Sequence, residues 1–290
     1  MASSGEGRAC YLCNGREFVR RPGQVRDDPS LEVLECRACG LVTLSSFDHI
    51  SKEFYAESGM HAEELSVPDW LKQTEGDDTR RLEFTRQAVK NKRVLDFGCG
   101  NAGFLMRAKT AAAVAAGVEP EARLRPHFLK NGLQVWEKLS DVDETFDVIT
   151  LFHVLEHLPD PRQVLEGLGR LLRPSGRIII EVPNANDALL TLYRCEPFTR
   201  FTYWSCHLFL FTAKTLVELC AQAGFRVDAV NHIQRYPLSN HMHWLAQGKP
   251  GGHQVWQFLD SPELHAAYES RLAAREATDT VIATIVRERP

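Results

Sequence analysis

The sequence predicts an α/β protein, a mostly parallel sheet with helices on both faces, preceded by a small module held together by cysteines. Three observations carry this reading. Between residues 93 and 235, short apolar strands alternate with amphipathic helices, as repeated strand–helix units do. The first of these strands runs into a glycine-rich turn, Gly98-Cys-Gly100-Asn-Ala-Gly103, and then a helix. Well ahead of it stand two Cys-x-x-Cys pairs, Cys10/Cys13 and Cys36/Cys39.

Residues 1–48 form the first unit. Each cysteine pair is followed by a residue that tolerates a left-handed backbone, Asn14 or Gly40. Leu31–Glu35 alternates like a strand, and Leu41–Leu44 reads as another. So small a unit does not hold itself by hydrophobic burial alone. Residues 49–92 read as a helical connector that caps the next domain, with Leu82, Phe84, Ala88 and Val89 set among charges.

The large domain spans 93–290. Arg93–Phe97 is its first strand, Ala102–Thr110 a helix, Ala113–Glu119 a strand, and Pro120–Asn131 a helix. Leu133–Val135 makes a short strand and Phe146–Phe152 the fourth. A helix over Pro161–Leu172 starts on a proline. Pro174-Ser-Gly176 turns the chain into the strand Arg177–Val182. A helix over Thr212–Ala223 is capped by Thr212 and stopped by Gly224. Phe225–Ile233 is the sixth strand. Residues 236–262, with Pro237, Pro250, Gly251 and Gly252, read as irregular. A helix over Pro262–Ala277 and a strand over Thr280–Val286 follow, and the strand completes a seven-stranded sheet by entering antiparallel.

Composition narrows the function classes. The 290 residues suffice for one large domain and an accessory module, with 44% hydrophobic and 25% charged residues, as in ordinary soluble enzymes. No apolar run approaches the ~20 residues that span a bilayer. Met1 to Arg8 hold no apolar leader core. A cytoplasmic protein without a membrane partner is expected. The net charge of −4 argues against a nucleic-acid partner. In that compartment the two cysteine pairs are metal ligands, and Cys99, Cys195, Cys206 and Cys220 are buried thiols outside any disulfide framework.

The glycine turn brings a ligand close to the backbone and to the free N–H groups of a helix N-terminus. Alone, Gly-x-Gly-x-x-Gly also fits a dinucleotide. Asp96 tilts the reading away from one, because a carboxylate two residues before Gly98 repels a pyrophosphate and accepts from an ammonium group. Glu119, at the end of the next strand, suits two ribose hydroxyls in either case.

Val94-Leu-Asp-Phe-Gly-Cys-Gly100, Glu119, the stretch Phe146–Pro161 and Leu171-Leu-Arg-Pro-Ser-Gly-Arg177 together resemble the class I S-adenosylmethionine-dependent methyltransferases, in their small-molecule branch. The resemblance covers residues 91–235 in the expected order. It implies a Rossmann-like seven-stranded sheet and S-adenosylmethionine bound by Asp96, Gly98, Gly100, Glu119, Phe152 and His153. It also implies an acceptor face built by the loops 184–211 and 236–262. An oxygen acceptor must lose a proton to a nearby base. His153, Glu156 and His157 follow the fourth strand, and His207 lies in an aromatic loop where the family carries a histidine. His207 is the expected base or substrate contact, and His157 is equally open to a plain packing role.

His153-Val-Leu-Glu156-His157 spells a zinc-peptidase pattern, but those ligands need a long helix, and Pro159 and Pro161 forbid one here. Ubiquinone-pathway O-methyltransferases, which this segment resembles, hold a divalent ion through Glu-x-x-Glu-His; this chain has His153 in place of the first Glu. Tyr203 and Trp204 are placed to stack on an acceptor or to anchor the loop. Four thiolates from Cys10, Cys13, Cys36 and Cys39 make a closed, structural zinc site, a zinc ribbon. The combined expectation is O-methylation of a sugar, a nucleotide sugar or another small polar metabolite in a surface-polysaccharide or natural-product pathway. The alternatives are a sugar C-methyltransferase, a ribbon-borne RNA-binding methyltransferase, a non-catalytic cofactor-binding module and, more remotely, an NAD enzyme.

Overall fold

The computed structural model describes residues 8–51, 54–56 and 65–288. The N-terminal stretch on which the leader argument rests, and parts of the connector, lie outside the described residues. The chain opens with three short strands, β1 (Phe18–Arg20), β2 (Val33–Cys36) and β3 (Val42–Leu44), paired antiparallel in that order. Helix α1 (Val67–Val89) follows, its first turn capped by Ser66 accepting from the Asp69 N–H.

Strand–helix units then alternate: β4 (Arg93–Phe97), α2 (Gly103–Ala108), β5 (Val114–Val118), α3 (Arg125–Lys130), β6 (Gln134–Trp136), β7 (Phe146–Phe152), α4 (Pro161–Leu171) and β8 (Leu172–Pro183). Two short helices, α5 (Ala188–Thr191) and α6 (Glu196–Thr202), lead to strand β9 (Phe209–Leu210). Helix α7 (Ala213–Gln222), with a full capping box at Thr212/Thr215, precedes β10 (Phe225–Ile233). The chain ends with α8 (Leu238–Gln247), α9 (Gly252–Val255), α10 (Pro262–Ala273) and β11 (Thr280–Arg287).

Seven strands form one sheet in the order β10-β11-β8-β7-β4-β5-β6. β11 runs antiparallel to both neighbours, and the other pairs are parallel. The central strands are apolar throughout because both faces are covered: Leu95, Ile149, Leu151, Ile178 and Ile180 are fully buried. After β6 the chain crosses back to β7 beside β4, so the strand order reverses between β4 and β7. Ligands of open α/β sheets bind in the crevice beyond the carboxyl ends of such a pair.

Four details differ from the sequence reading. Residues 236–262 are not irregular: ten of them form α8, whose buried side includes Ser239, Asn240, His241, His243 and Trp244. The polar members are satisfied locally, as with the His243 Nδ1 to Lys249 carbonyl bond of 2.8 Å. Pro174-Ser-Gly176 is carried inside β8 as an irregularity in its pairing with β7, with Ser175 at φ +65°. The helix expected over 120–131 begins as a 3-10 turn at Ala122–Leu124. Finally, β9 leaves the large sheet and pairs antiparallel with β3, Val42 opposite Leu210 and Thr43 opposite Phe209. The cysteine module is thereby stitched to the loop that carries His207.

Candidate active site

β4 ends at Phe97 and the chain turns through Gly98 and Gly100 into α2. Gly98 and Cys99 donate their N–H groups to the Val118 carbonyl at 2.8 and 3.1 Å, which locks the turn against β5. Gly98 sits at φ +72°, and a Cβ there would stand 2.5 Å from Val154 Cγ2. Only glycine fits that position. Gly103 is equally enclosed: its Cβ would meet Asp78 Oδ2 of α1 at 2.0 Å.

A cavity of about 340 Å³ opens above this turn. Asp96, Gly98, Gly100, Glu119, Phe152 and His153 all line it, joined by Trp70, Thr74, Asp78 and Arg81 of α1. Two of the lining residues are acids. Asp96 is buried, and burial pushes its carboxyl up to about 7 against the Thr150 hydroxyl, which donates to it at 2.7 Å. The Glu119 carboxylate accepts the Gly100 N–H at 2.8 Å and the Glu121 N–H at 3.0 Å. Burial raises its pKa and these two donors oppose the rise.

His153 has a left-handed backbone, φ +56°. Its Nδ1 lies 3.1 Å from Glu156 Oε1, and its Nε2 lies 3.1 Å from Glu181 Oε1 and from an Arg235 nitrogen. Burial alone lowers its pKa, but the two carboxylates outweigh burial and raise it. Both ring nitrogens are therefore engaged, between two carboxylates and Arg235. Glu181 also receives Arg80 at 2.8 Å and Arg81 at 3.0 Å. Burial raises its carboxyl, yet these charges hold it well below the usual range.

Glu156 and His157 sit in a single 3-10 turn, Leu155–His157, which excludes the long helix of a peptidase site. His157 Nδ1 donates to the Cys206 carbonyl at 2.7 Å, and His207 Nδ1 to the Thr202 carbonyl at 2.9 Å. Those bonds fix the Nδ1–H tautomer on each ring and leave both Nε2 lone pairs free. Burial lowers the pKa of both, that of His207 to about 3 with the neighbouring His157 adding to the effect, so both rings are neutral at pH 7. The ring centroids are 5.1 Å apart. Glu156 is fully buried, and its Oε2 has no hydrogen-bond partner among the described residues. Ligand atoms of Glu156, His157 and His207 all lie within 4.8 Å of one another. Of these three, His157 lines the cavity.

A family model described as a methyltransferase domain matches residues 72–230, just over half of the chain, and spans β4 through most of β10. The chain belongs to the methyltransferase family. Similar curated proteins include the ubiquinone biosynthesis O-methyltransferases of Aeromonas salmonicida (29% identical; 51% of this chain, 69% of the relative) and Azotobacter vinelandii (28% identical; 56% and 77%). Among solved structures, a methyltransferase of Thermotoga maritima described as a possible histamine N-methyltransferase superposes with a TM-score of 0.50. It is 17% identical and covers 76% of this chain and 94% of that one, a likeness of fold. The protein is thus an S-adenosylmethionine-dependent methyltransferase, and the dinucleotide reading of its glycine turn falls away.

In this methyltransferase the four N-terminal cysteines converge. Cys10 and Cys39 sulfurs are 3.6 Å apart, and those of Cys13 and Cys36 3.5 Å. The other four thiols are buried and unpaired. Tyr203 is buried and lines no part of the cavity, so it anchors the loop and is not open for stacking. Trp204 packs edge-on against His157 and His207 and carries Arg26 on its face at 4.4 Å. His241 and His243 join no group of metal-ligating atoms among the described residues. No described helix is long and apolar enough to cross a membrane.

Sequence reasoning missed the contribution of α1. Asp78 and Arg81 line the cavity, Arg80 and Arg81 reach Glu181, and Arg235 joins the helix by a bidentate contact to Asp77. One signal was present: Glu181 interrupts the apolar run Ile178–Val182, and an acid at the centre of a covered sheet must be paired.

Proposed function

We propose that the protein transfers a methyl group to a hydroxyl of a small polar acceptor, a sugar or nucleotide sugar being the class we favour. The observation that carries the reading is the pair of imidazoles, His157 at the wall of the cofactor cavity and His207 packed behind it, with fixed tautomers and free Nε2 atoms. S-adenosylmethionine supplies the electrophilic methyl group when bound. The residues present fit it. Glu119 presents a carboxylate for the ribose, Asp96 one for the amino-acid end, and Gly98 holds the turn between them in a left-handed backbone that admits no Cβ. His157, with His207 behind it, takes the acceptor's proton at Nε2. His153, with both ring nitrogens engaged by Glu156, Glu181 and Arg235, does not serve as base. The acidic chain and relatives named as O-methyltransferases support a hydroxyl acceptor over a polyanion.

A second reading rests on Glu156 Oε2. A buried carboxylate oxygen without a partner among the described residues, next to two free imidazole nitrogens, fits a divalent cation held by Glu156, His157 and His207. Such an ion would polarise the acceptor hydroxyl. Manganese titration followed by electron paramagnetic resonance, in wild type and Glu156→Gln, separates the two readings.

The cysteine quartet fits structural zinc. Zn–S bonds of about 2.3 Å in a tetrahedron set sulfurs about 3.8 Å apart. The observed 3.5–3.6 Å supports one closed ion. The functional test is His207→Ala, assayed for methyl transfer to a panel of nucleotide sugars and catechols. Retained S-adenosylhomocysteine binding with turnover lost is expected. Normal turnover removes His207 from the mechanism.

A further inference from the structure

Among the described residues the cysteine module contributes nothing to the lining of the cofactor cavity, whose first lining residue is Tyr55. It instead grips both segments that carry the histidine pair. Tyr11, between Cys10 and Cys13, bridges them. Its hydroxyl donates to Asp160, three residues past His157, and accepts the Arg162 N–H at 3.0 Å. Its ring packs on Phe209, two residues past His207, with centroids 5.2 Å apart. The His207 side is also held by backbone: the Leu208 carbonyl accepts the Leu44 N–H at 3.1 Å and the Thr43 hydroxyl at 3.0 Å.

These contacts make the module a jig. His157 and His207 come from segments 50 residues apart in sequence, and each imidazole is aimed by a backbone carbonyl. The two segments touch directly where His157 Nδ1 donates to the Cys206 carbonyl, and a contact from outside the large sheet braces that junction. The cysteine knuckle does so through one side chain that touches both. We infer that Tyr11 is a positioning residue for methyl transfer: it fixes the His157–His207 geometry from within the metal-binding knuckle while leaving cofactor binding untouched. The inference rests on the acceptor-side reading of those histidines, but its first readout does not depend on that reading.

The test uses the full chain, zinc-loaded and labelled with 15N-histidine, in wild type and Tyr11→Phe. The variant keeps the ring against Phe209 and removes both hydroxyl bonds. Imidazole nitrogen spectra report tautomer and environment directly. The expected result is that the His157 and His207 signals shift or broaden while S-adenosylhomocysteine affinity stays within twofold of wild type. With an acceptor in hand, kcat falls about tenfold at unchanged KM for S-adenosylmethionine, the loss of one charge-assisted hydrogen bond. If Tyr11→Phe does not fold, Asp160→Asn weakens the same bond from the other side. Unmoved imidazole signals overturn the inference, as does cofactor affinity falling in parallel with them. Moved signals with normal turnover leave the positioning intact and instead defeat the base assignment.

Discussion

Substituting alanine for Gly98 probes the glycine turn at its most constrained point. Two costs follow from the geometry. A non-glycine residue at φ +72° pays about 1–2 kcal/mol for the left-handed backbone. The new Cβ also lies 2.5 Å from Val154 Cγ2 and 3.0 Å from Cγ1, far inside the 3.5–4.0 Å of ordinary carbon contact. Valine cannot swing aside freely, being restricted at χ1, and it follows His153, itself pinned between two carboxylates. Overpacking of this kind costs about 1–3 kcal/mol, for a total near 3 kcal/mol. Val154→Ala removes both clashing methyls, so the double variant should retain the backbone cost and recover the rest. The assay is urea unfolding of wild type, both single variants and the double variant, with S-adenosylhomocysteine calorimetry on each. Gly98→Ala should lose stability and cofactor binding, and the double variant should regain more than 1 kcal/mol of coupling. A Gly98→Ala protein as stable as wild type, with normal affinity, would refute the packing argument.

Three further expectations concern charge. With the Asp96 carboxyl at about 7, lowering the pH from 8 to 6 protonates it and removes an anion from the cavity wall; if Asp96 meets the cofactor's ammonium group as proposed, S-adenosylmethionine affinity should drop with falling pH, approaching tenfold per unit below 7, and Asp96→Asn should flatten that profile in calorimetry. His207, with its pKa lowered to about 3, binds a proton in the unfolded chain before it does in the folded one; relative to His207→Gln, the wild type should lose up to about 1.4 kcal/mol per pH unit as pH falls from 6.5 toward 3, read by denaturant titration. Glu181→Gln leaves Arg80, Arg81 and His153 facing a neutral amide in a dry site; it should cost about 3–5 kcal/mol in thermal or chemical unfolding, and a loss under 1 kcal/mol would mean the network is solvated.

The seven strands were legible because a covered sheet writes its strands as apolar runs, and the turn was legible because its glycines follow such a run. What escaped had other causes. Helix α8 buries Ser239, Asn240, His241 and His243, so its inner face looks polar in sequence, and the proline and glycines around it suggest a loop. The pairing of β3 with β9 joins residues more than 160 apart through a two-residue strand, which no local pattern encodes. All six residues expected at the cofactor line one cavity, since each belongs to the turn or to a strand end at the switch point. The catalytic candidates separated for electrostatic reasons. His153 and His157 are four residues apart in one motif, yet one is clamped between carboxylates and the other bonded to a carbonyl. Sequence names such residues without saying which proton each holds.

The account turns on Glu119 meeting the ribose of an adenosyl ligand beside the glycine turn. The direct measurement is calorimetric titration of wild type and Glu119→Gln with S-adenosylhomocysteine and with its 2′-deoxy analogue. Wild type should bind the analogue about 10–100-fold more weakly than S-adenosylhomocysteine, as expected when a charged hydrogen bond is lost, and Glu119→Gln should discriminate little between them. Equal affinity of wild type for the two ligands would contradict the account.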